Sequence, residues 1–179
     1  MKGDTREPLL LTPGPLTTSA RTKEAMLHDW GSRDSAFIEL TARLRRRLAA
    51  LAEAEADHVC VPLPGSGTSA VEAMLGTLVP RDGRALVLVN GAYGRRMAEI
   101  LTLAGRQHET LEGAENRPLD AAAAAARLDS DSRIGDVVMV HCETTSGVLN
   151  PLEEIADAVA RRGKRLLVDA MSSFGAIPI

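Results

Sequence analysis

Two apolar runs, Ala85-Leu86-Val87-Leu88-Val89 and Asp136-Val137-Val138-Met139-Val140, carry no polar residue at alternate positions. A strand with one face in water alternates apolar and polar residues. A strand covered by helices on both faces has no need to. The two runs therefore call for a mostly parallel sheet flanked by helices, the α/β class.

The stretches between and beyond them fit that plan. From residue 58 the pattern predicts strands at 58–63, 85–89, 107–111, 136–141 and 165–169, alternating with helices at 66–78, 93–104, 121–126 and 152–162. Asp120 stands where the third of these helices needs a cap, Pro151 where the last should begin and Gly163 where it should stop. Upstream, Asp34 and Ser35 are placed to cap a helix whose apolar residues Phe37, Ile38, Leu40, Leu44, Leu48 and Leu51 recur every three or four positions, predicting one buried face. Arg43, Arg45, Arg46 and Arg47 interrupt that pattern and read as its solvated side. The run Leu9–Leu11 ends at Thr12-Pro13-Gly14-Pro15, which punctuates the chain as an ordered arm or loop.

Composition enters as a filter on function. With 179 residues, 45% hydrophobic and 25% charged, the chain can bury a core, and its net charge of −3 argues against a nucleic-acid surface. Cys60 and Cys142 sit within apolar runs and read as free, buried thiols rather than a disulfide. No stretch approaches the ~20 apolar residues of a membrane span, and no signal peptide is evident at the start, so the cytoplasm is the expected compartment.

In open parallel sheets, ligands gather beyond the carboxyl ends of the strands. Four loops are expected there: Gly65–Thr68, Asn90–Tyr93, Glu143–Ser146 and the segment starting at Asp169. Helix-initial N–H groups have no partner within the helix, so Ser66, Gly67 and Thr68 can wrap a phosphate. Asp169, closing a strand, can meet a protonated ring nitrogen, and Tyr93, between glycines, can stack on a flat ring. Thr144, Thr145 and Ser146 offer hydroxyls to a ligand oxygen, or simply form a turn. A phosphate cradle and a carboxylate together suggest pyridoxal 5′-phosphate. A rival stays open, because Gly65-Ser66-Gly67-Thr68-Ser69-Ala70 also fits a dinucleotide fingerprint, although Asn90 stands where an acidic ribose ligand belongs. His141-Cys142-Glu143 looks like a metal cluster only on paper, since neighbouring strand residues point in opposite directions and no second cluster completes it.

Leu10–Pro15, Asp29-Trp30-Gly31-Ser32-Arg33-Asp34, Gly65–Thr68, Asn90–Gly94, His141–Thr145 and Val168-Asp169-Ala170-Met171-Ser172-Ser173 together resemble the 2-aminoethylphosphonate:pyruvate aminotransferases. These are fold-type I pyridoxal-phosphate enzymes of the branch that includes the alanine:glyoxylate and serine:pyruvate aminotransferases. The Asp29–Asp34 and His141–Thr145 segments favour the phosphonate enzyme over its neighbours. The resemblance implies that residues 1–34 form an N-terminal arm with substrate-side loops and 35–179 part of the large cofactor-binding domain. It implies that Ser66, Gly67 and Thr68 hold the cofactor phosphate, Tyr93 stacks on the ring, Thr145 contacts the ring oxygen and Asp169 binds the pyridine nitrogen, with Arg33 a phosphonate contact. The implied partners are an amino donor and pyruvate, in a cytoplasmic homodimer with no nucleic-acid or membrane partner.

One element of the family pattern is missing. The Schiff-base lysine of such enzymes lies downstream of the aspartate, and the only lysines here are Lys2, Lys23 and Lys164. The expectation is an aminotransferase sequence truncated before that residue. The alternatives are another amino donor within the branch and a non-catalytic binding domain for pyridoxal phosphate or a dinucleotide. Strands that belong to later sequence would leave apolar edges open, so aggregation of the isolated chain is expected.

Overall fold

The computed structural model describes residues 8–12 and 14–178, which fall into two compact units. The first runs to Pro62 and takes in Pro178, and the second spans Leu63–Ile177. This compact-unit boundary lies later than the functional division expected after residue 34. Pro13, within the expected Thr12–Pro15 arm, lies outside the described residues.

In the first unit, helix α1 covers Ala20–Ala25, where the Ser19 hydroxyl accepts from the Thr22 N–H at 3.2 Å. Helix α2 covers Ser35–Leu51, starting where Asp34 predicts, but the Asp34 carboxylate caps no α2 N–H. It turns back instead to accept from the Gly31 N–H at 2.8 Å, closing the Asp29–Asp34 loop. Stacked on this loop, the Trp30 and Phe37 rings lie 5.9 Å apart. The buried face expected of α2 is not there: none of its residues is buried, and Ile38 and Leu51 are 56% and 59% exposed. The arginines at 43 and 45–47 do face water, as their pattern predicts.

The strand expected at 58–63 is also absent. That segment forms no ladder, and Val59 and Val61 are 76% and 66% exposed. A strand exists only with a hydrogen-bonding neighbour, and among the described residues none runs beside this one. It is tied to α2 by a hydrogen bond from Arg45 Nε to the Cys60 carbonyl at 2.7 Å. Cys60 and Cys142 are free thiols, half-buried rather than buried.

The second unit is the α/β body. Its elements run in chain order from α3 (Gly67–Leu78) through β1 (Arg84–Val89), α4 (Ala92–Leu103), β2 (Gln107–Glu112), α5 (Ala121–Ser130) and β3 (Ile134–Val140). A short antiparallel pair follows, β4 (Cys142–Glu143) with β5 (Val148–Leu149), and then α6 (Leu152–Ala160) and β6 (Arg165–Asp169). The four long strands are parallel, in the order β2-β1-β3-β6. Residues alternate across β1 as a doubly covered strand requires. Ala85, Val87 and Val89 pack with Val71 and Leu75 of α3 and Met97 and Leu101 of α4. Leu86 and Leu88 point the other way, into a core with Ala124 and Leu128 of α5 and Ile155 and Val159 of α6. The six-alanine run is thus a helix face lying close on the sheet, capped by Asp120 Oδ1 at 2.8 Å from the Ala122 N–H.

Pro151 is the cap of α6 rather than its first residue, and Gly163 takes the positive φ of 62° that ends the turn after it. From β1 the chain goes outward to β2 and then returns to the far side of β1 for β3. The loops leaving β1 and β3 therefore diverge, opening a crevice between their carboxyl ends.

Candidate functional site

All four expected loops come to that crevice. Ser66 caps α3, its hydroxyl accepting from the Ser69 N–H at 3.3 Å. Gly67 and Thr68, the first two residues of the helix, keep N–H groups that the helix itself cannot satisfy. Gly65 holds the entering turn at a φ of 146°, a conformation that side chains disfavour. The strand expected to deliver this turn is missing, so the cradle is a loop-to-helix turn rather than the strand-to-helix turn of a dinucleotide fingerprint.

The cradle touches the Asp169 loop directly. A Cβ placed on Gly67 would stand 3.3 Å from Met171 Cγ, so the helix start and the segment after β6 are in contact. Asp169 is half-buried at the end of β6, with Oδ1 accepting from the Met171 N–H at 3.0 Å. No ion pair among the described residues engages its carboxylate. The residue after β3 braces it from behind: the His141 N–H donates to the Asp169 carbonyl at 2.8 Å, and His141 Nδ1 pairs with the buried Ser173 hydroxyl at 2.9 Å. Burial holds His141 below the usual imidazole range, favouring a neutral ring in this brace.

The loop after β1 brings Tyr93 to the second residue of α4, its ring half-buried. Arg96, one turn on, places its guanidinium carbon 5.2 Å from the Tyr93 ring centre and Nη1 3.5 Å from the Thr68 hydroxyl. A cation thus lies beside the start of α3. The sequence reading missed Arg96, although its spacing from Tyr93 on one helix face was a usable signal.

Asn90 is committed elsewhere. Its side-chain amide donates to Asn150 Oδ1 at 2.8 Å and to the Arg117 carbonyl at 2.9 Å, deep in the fold. Tied up in that network, it offers nothing to a ribose, and the dinucleotide alternative loses both its strand and its sugar ligand.

Thr145 reaches the crevice from the loop after β4. Its hydroxyl donates to Glu143 Oε1 at 2.8 Å, and Thr144 pairs with the Ser172 hydroxyl, joining this loop to the one after β6. Glu143 itself is wholly buried and accepts from the N–H groups of Tyr93 and Gly94 at 3.2 and 3.4 Å. The sequence reading considered Glu143 only as a metal ligand. The better signal was that α4 begins after a glycine with no side chain to cap it, so its first N–H groups need an acceptor from elsewhere.

Arg33, the expected phosphonate contact, and Lys164, one of the three lysines, belong to other segments of the chain. Arg33 belongs to the first unit, exposed in the Asp29–Asp34 turn. Lys164 precedes the first residue of β6, at the far end of the strand from Asp169, and its Nζ donates to the Ser132 carbonyl at 2.9 Å. Chemically, the crevice pairs an anion cradle of backbone N–H groups, hydroxyls and one guanidinium with a carboxylate and a flanking aromatic ring. That donor set suits a ligand with a phosphate at one end and a cationic N–H at the other.

Kinship agrees with the geometry. The chain is 60% identical over 173 residues to the 2-aminoethylphosphonate–pyruvate transaminase of Pseudomonas fluorescens, covering 97% of this chain and 47% of that protein. The pyridoxamine-pyruvate aminotransferase of Mesorhizobium loti superposes with a TM-score of 0.88 at 26% identity, covering 98% of this chain and 45% of the other. For the alanine–glyoxylate aminotransferase of Nostoc sp. the TM-score is 0.87 at 28% identity, over 98% and 47% of the two chains. The chain thus spans about half the length of the relatives it matches. The sequence profile described as aminotransferase class-V matches residues 20–179, and the chain belongs to that family.

Proposed function

We propose that this chain is the cofactor-holding part of a 2-aminoethylphosphonate:pyruvate aminotransferase. The observation that carries the reading is the contact between the Gly67 cradle and the Asp169 loop, which puts phosphate donors and a carboxylate in one crevice. Kinship at 60% identity favours the phosphonate donor over other members of the family. Bound in this crevice, pyridoxal 5′-phosphate supplies the electron sink for moving an amino group from 2-aminoethylphosphonate to pyruvate, giving phosphonoacetaldehyde and L-alanine.

The chain's own residues contribute binding and orientation. The N–H groups of Gly67 and Thr68 and the hydroxyls of Ser66 and Thr68 hold the phosphate, with Arg96 adding positive charge at its rim. Asp169 keeps the ring nitrogen protonated, Tyr93 covers one ring face and Thr145 meets the ring oxygen. Arg33 contacts the substrate phosphonate. The family's anchoring amine follows the aspartate, whereas Lys2, Lys23 and Lys164, the lysines of these 179 residues, all precede Asp169. In the complete protein the reading carries with it a cytoplasmic homodimer.

Separate titrations with pyridoxal 5′-phosphate and NAD test this. Saturable binding of the first, reversed by dilution, is the expected result. Binding of NAD with no response to pyridoxal 5′-phosphate would overturn the assignment. A borohydride-fixed adduct on Lys2, Lys23 or Lys164 would contradict the account of the absent amine.

A further inference from the structure

Two asparagines, Asn90 directly after β1 and Asn150 directly after β5, are each only 2% exposed and bond to each other. Asn90 Nδ2 donates to Asn150 Oδ1 at 2.8 Å, and Asn150 Nδ2 donates back to Asn90 Oδ1 at 3.2 Å. The rest of the pair's capacity goes to backbone. Asn90 Nδ2 also donates to the Arg117 carbonyl at 2.9 Å and Asn150 Nδ2 to the Val140 carbonyl at 2.8 Å, while Asn150 Oδ1 accepts from the Leu119 N–H at 2.9 Å. A carbonyl only accepts and an N–H only donates, so these contacts fix which way the Asn150 amide faces.

What the pair joins is two of the crevice loops. Asn90 immediately precedes Gly91, which opens α4 and so carries Tyr93. Asn150 closes the β4–β5 hairpin that carries Thr145: its N–H donates to the His141 carbonyl at 2.8 Å, one step beyond the Cys142–Leu149 pairing. The hydrogen bonds described for the two asparagines run to Arg117, Leu119, Val140 and His141, and none runs to the start of α3. The pair thus ties the ring-covering loop to the ring-oxygen loop and leaves the phosphate cradle alone.

We propose that Asn90 and Asn150 are positioning residues that set the width of the ring slot between Tyr93 and Thr145, so that affinity for the cofactor ring, as distinct from its phosphate, depends on a contact outside the slot. This rests on the pyridoxal-phosphate reading above and deepens it. A purely structural pair predicts something else: its loss lowers the melting temperature, and the folded protein binds ring and phosphate as before or both less well.

The test compares two ligands on the 179-residue chain. Pyridoxal 5′-phosphate spans slot and cradle, whereas inorganic phosphate fills the cradle alone. Asn90→Ala removes the reciprocal bonds but leaves Asn150 its bonds to Leu119 and Val140. It should raise the Kd for pyridoxal 5′-phosphate about tenfold and leave that for inorganic phosphate, followed by phosphorus NMR line width, unchanged. Tyr93 is the single tyrosine, so protein grown on 3-fluorotyrosine gives one fluorine resonance. That line should be narrow in the wild type and should broaden or split in Asn90→Ala before any ligand is added. Equal losses for the two ligands overturn the proposal, and so does unchanged affinity for pyridoxal 5′-phosphate or an unchanged fluorine line.

Should Asn90→Ala fail to give a cooperative melt, amide exchange in the wild type decides. Coupling is reciprocal, so a ligand favoured by the pair must also tighten the pair. Pyridoxal 5′-phosphate should slow exchange of the Leu119 N–H, which ends on Asn150 Oδ1, by about threefold or more, and inorganic phosphate should not. Equal slowing by both ligands, or by neither, overturns the proposal. A wild type that binds inorganic phosphate but not pyridoxal 5′-phosphate refutes the cofactor reading, and this inference with it. One that binds both, with no such selectivity in the variant, overturns this inference alone.

Discussion

At the amino ends of β1, β3 and β6, charge is matched against charge; at the carboxyl ends of the same strands, donors and acceptors are left facing a crevice. Arg84 opens β1 with its guanidinium 2.9 Å from Glu109 and 3.6 Å from Asp131, and Asp131 in turn sits 2.8 Å from Arg133. Hydrogen bonds from the Arg133 side chain and N–H hold Asp131 well below the usual carboxylate range, against the opposing effect of burial. At the other end Glu143 is satisfied by four N–H and O–H donors rather than by a cation, and Asp169 is engaged by one backbone N–H. One end is closed and serves stability. The other keeps unsatisfied capacity, which is what a ligand requires, so substitutions at the two ends should separate stability from binding.

The sharpest test of the open end is Gly91→Ala. Its new methyl would overlap Glu143 Cγ, a side chain with no room to retreat. We expect a loss of about 3 kcal/mol in urea denaturation, at the upper end of overpacking costs, together with loss of pyridoxal-phosphate binding. An unchanged midpoint would mean that Glu143 can leave its place freely. Asp169→Ala comes next and should act on binding rather than folding. Removing the partner of a ring N–H at a half-buried position should cost about 2 kcal/mol, roughly thirtyfold in Kd, in a fluorescence titration. The melting temperature should hardly move, since the carboxylate supports the fold only through the Met171 N–H.

This division also separates what could be read in the sequence from what could not. Strands β1 and β3 announced themselves, because burial on both faces leaves a continuous apolar run and needs no knowledge of the neighbours. The helix opening at Ser66–Thr68 and the strand ending in Asp169 were legible for a similar reason, because a small turn opening a helix and an acid closing an apolar strand are local patterns. The failures lie where a partner decides the outcome. Val59-Cys60-Val61 has the composition of a strand but no strand beside it. Helix α2 has apolar residues at helical spacing, yet none is buried, and only Phe37, Leu40 and Leu48 among them are half-covered. Glu143 escaped because its role depends on α4, fifty positions away, and Arg96 because its role depends on Thr68, which only the tertiary fold brings close.

At the closed end, Asp136→Asn sharpens the contrast by improving stability without touching the site. Asp136 is 1% exposed, and Arg165 Nη2 lies 2.7 Å from Oδ1 but poorly directed, so both carboxylate oxygens lack a hydrogen bond. Burial outweighs the nearby guanidinium and raises the Asp136 pKa above its ordinary value. The folded chain therefore binds this proton more tightly than the unfolded chain does, and stability falls as pH rises from the unfolded carboxylate pKa through the folded one. The asparagine variant has no such titration. Its urea midpoint at neutral pH should rise, by about 1 kcal/mol in stability, and the advantage should vanish in acid, where both side chains are neutral. Cofactor affinity should be unaffected. A variant less stable than wild type at neutral pH would show that the Arg165 pair is a net stabiliser.

The smallest effect expected is also the one that tests whether the open end has any long-range charge of its own. Arg96 is exposed, and it approaches both Thr68 at the cradle and the face of Tyr93. Exposed cation–π and ion contacts contribute about 0.5–1 kcal/mol, so Arg96→Ala should weaken pyridoxal-phosphate binding by roughly two- to fivefold. The loss should shrink as salt is raised, because a Debye length of about 10 Å at 0.1 M becomes about 3 Å at 1 M. Arg96→Lys should keep most of the salt-sensitive part and lose the stacking on Tyr93, since a compact ammonium replaces a planar group. If the alanine variant binds as tightly as wild type at low salt, the phosphate is held by the N–H groups and hydroxyls of α3 alone. The positive end of that helix would then be the whole of the cradle's electrostatics.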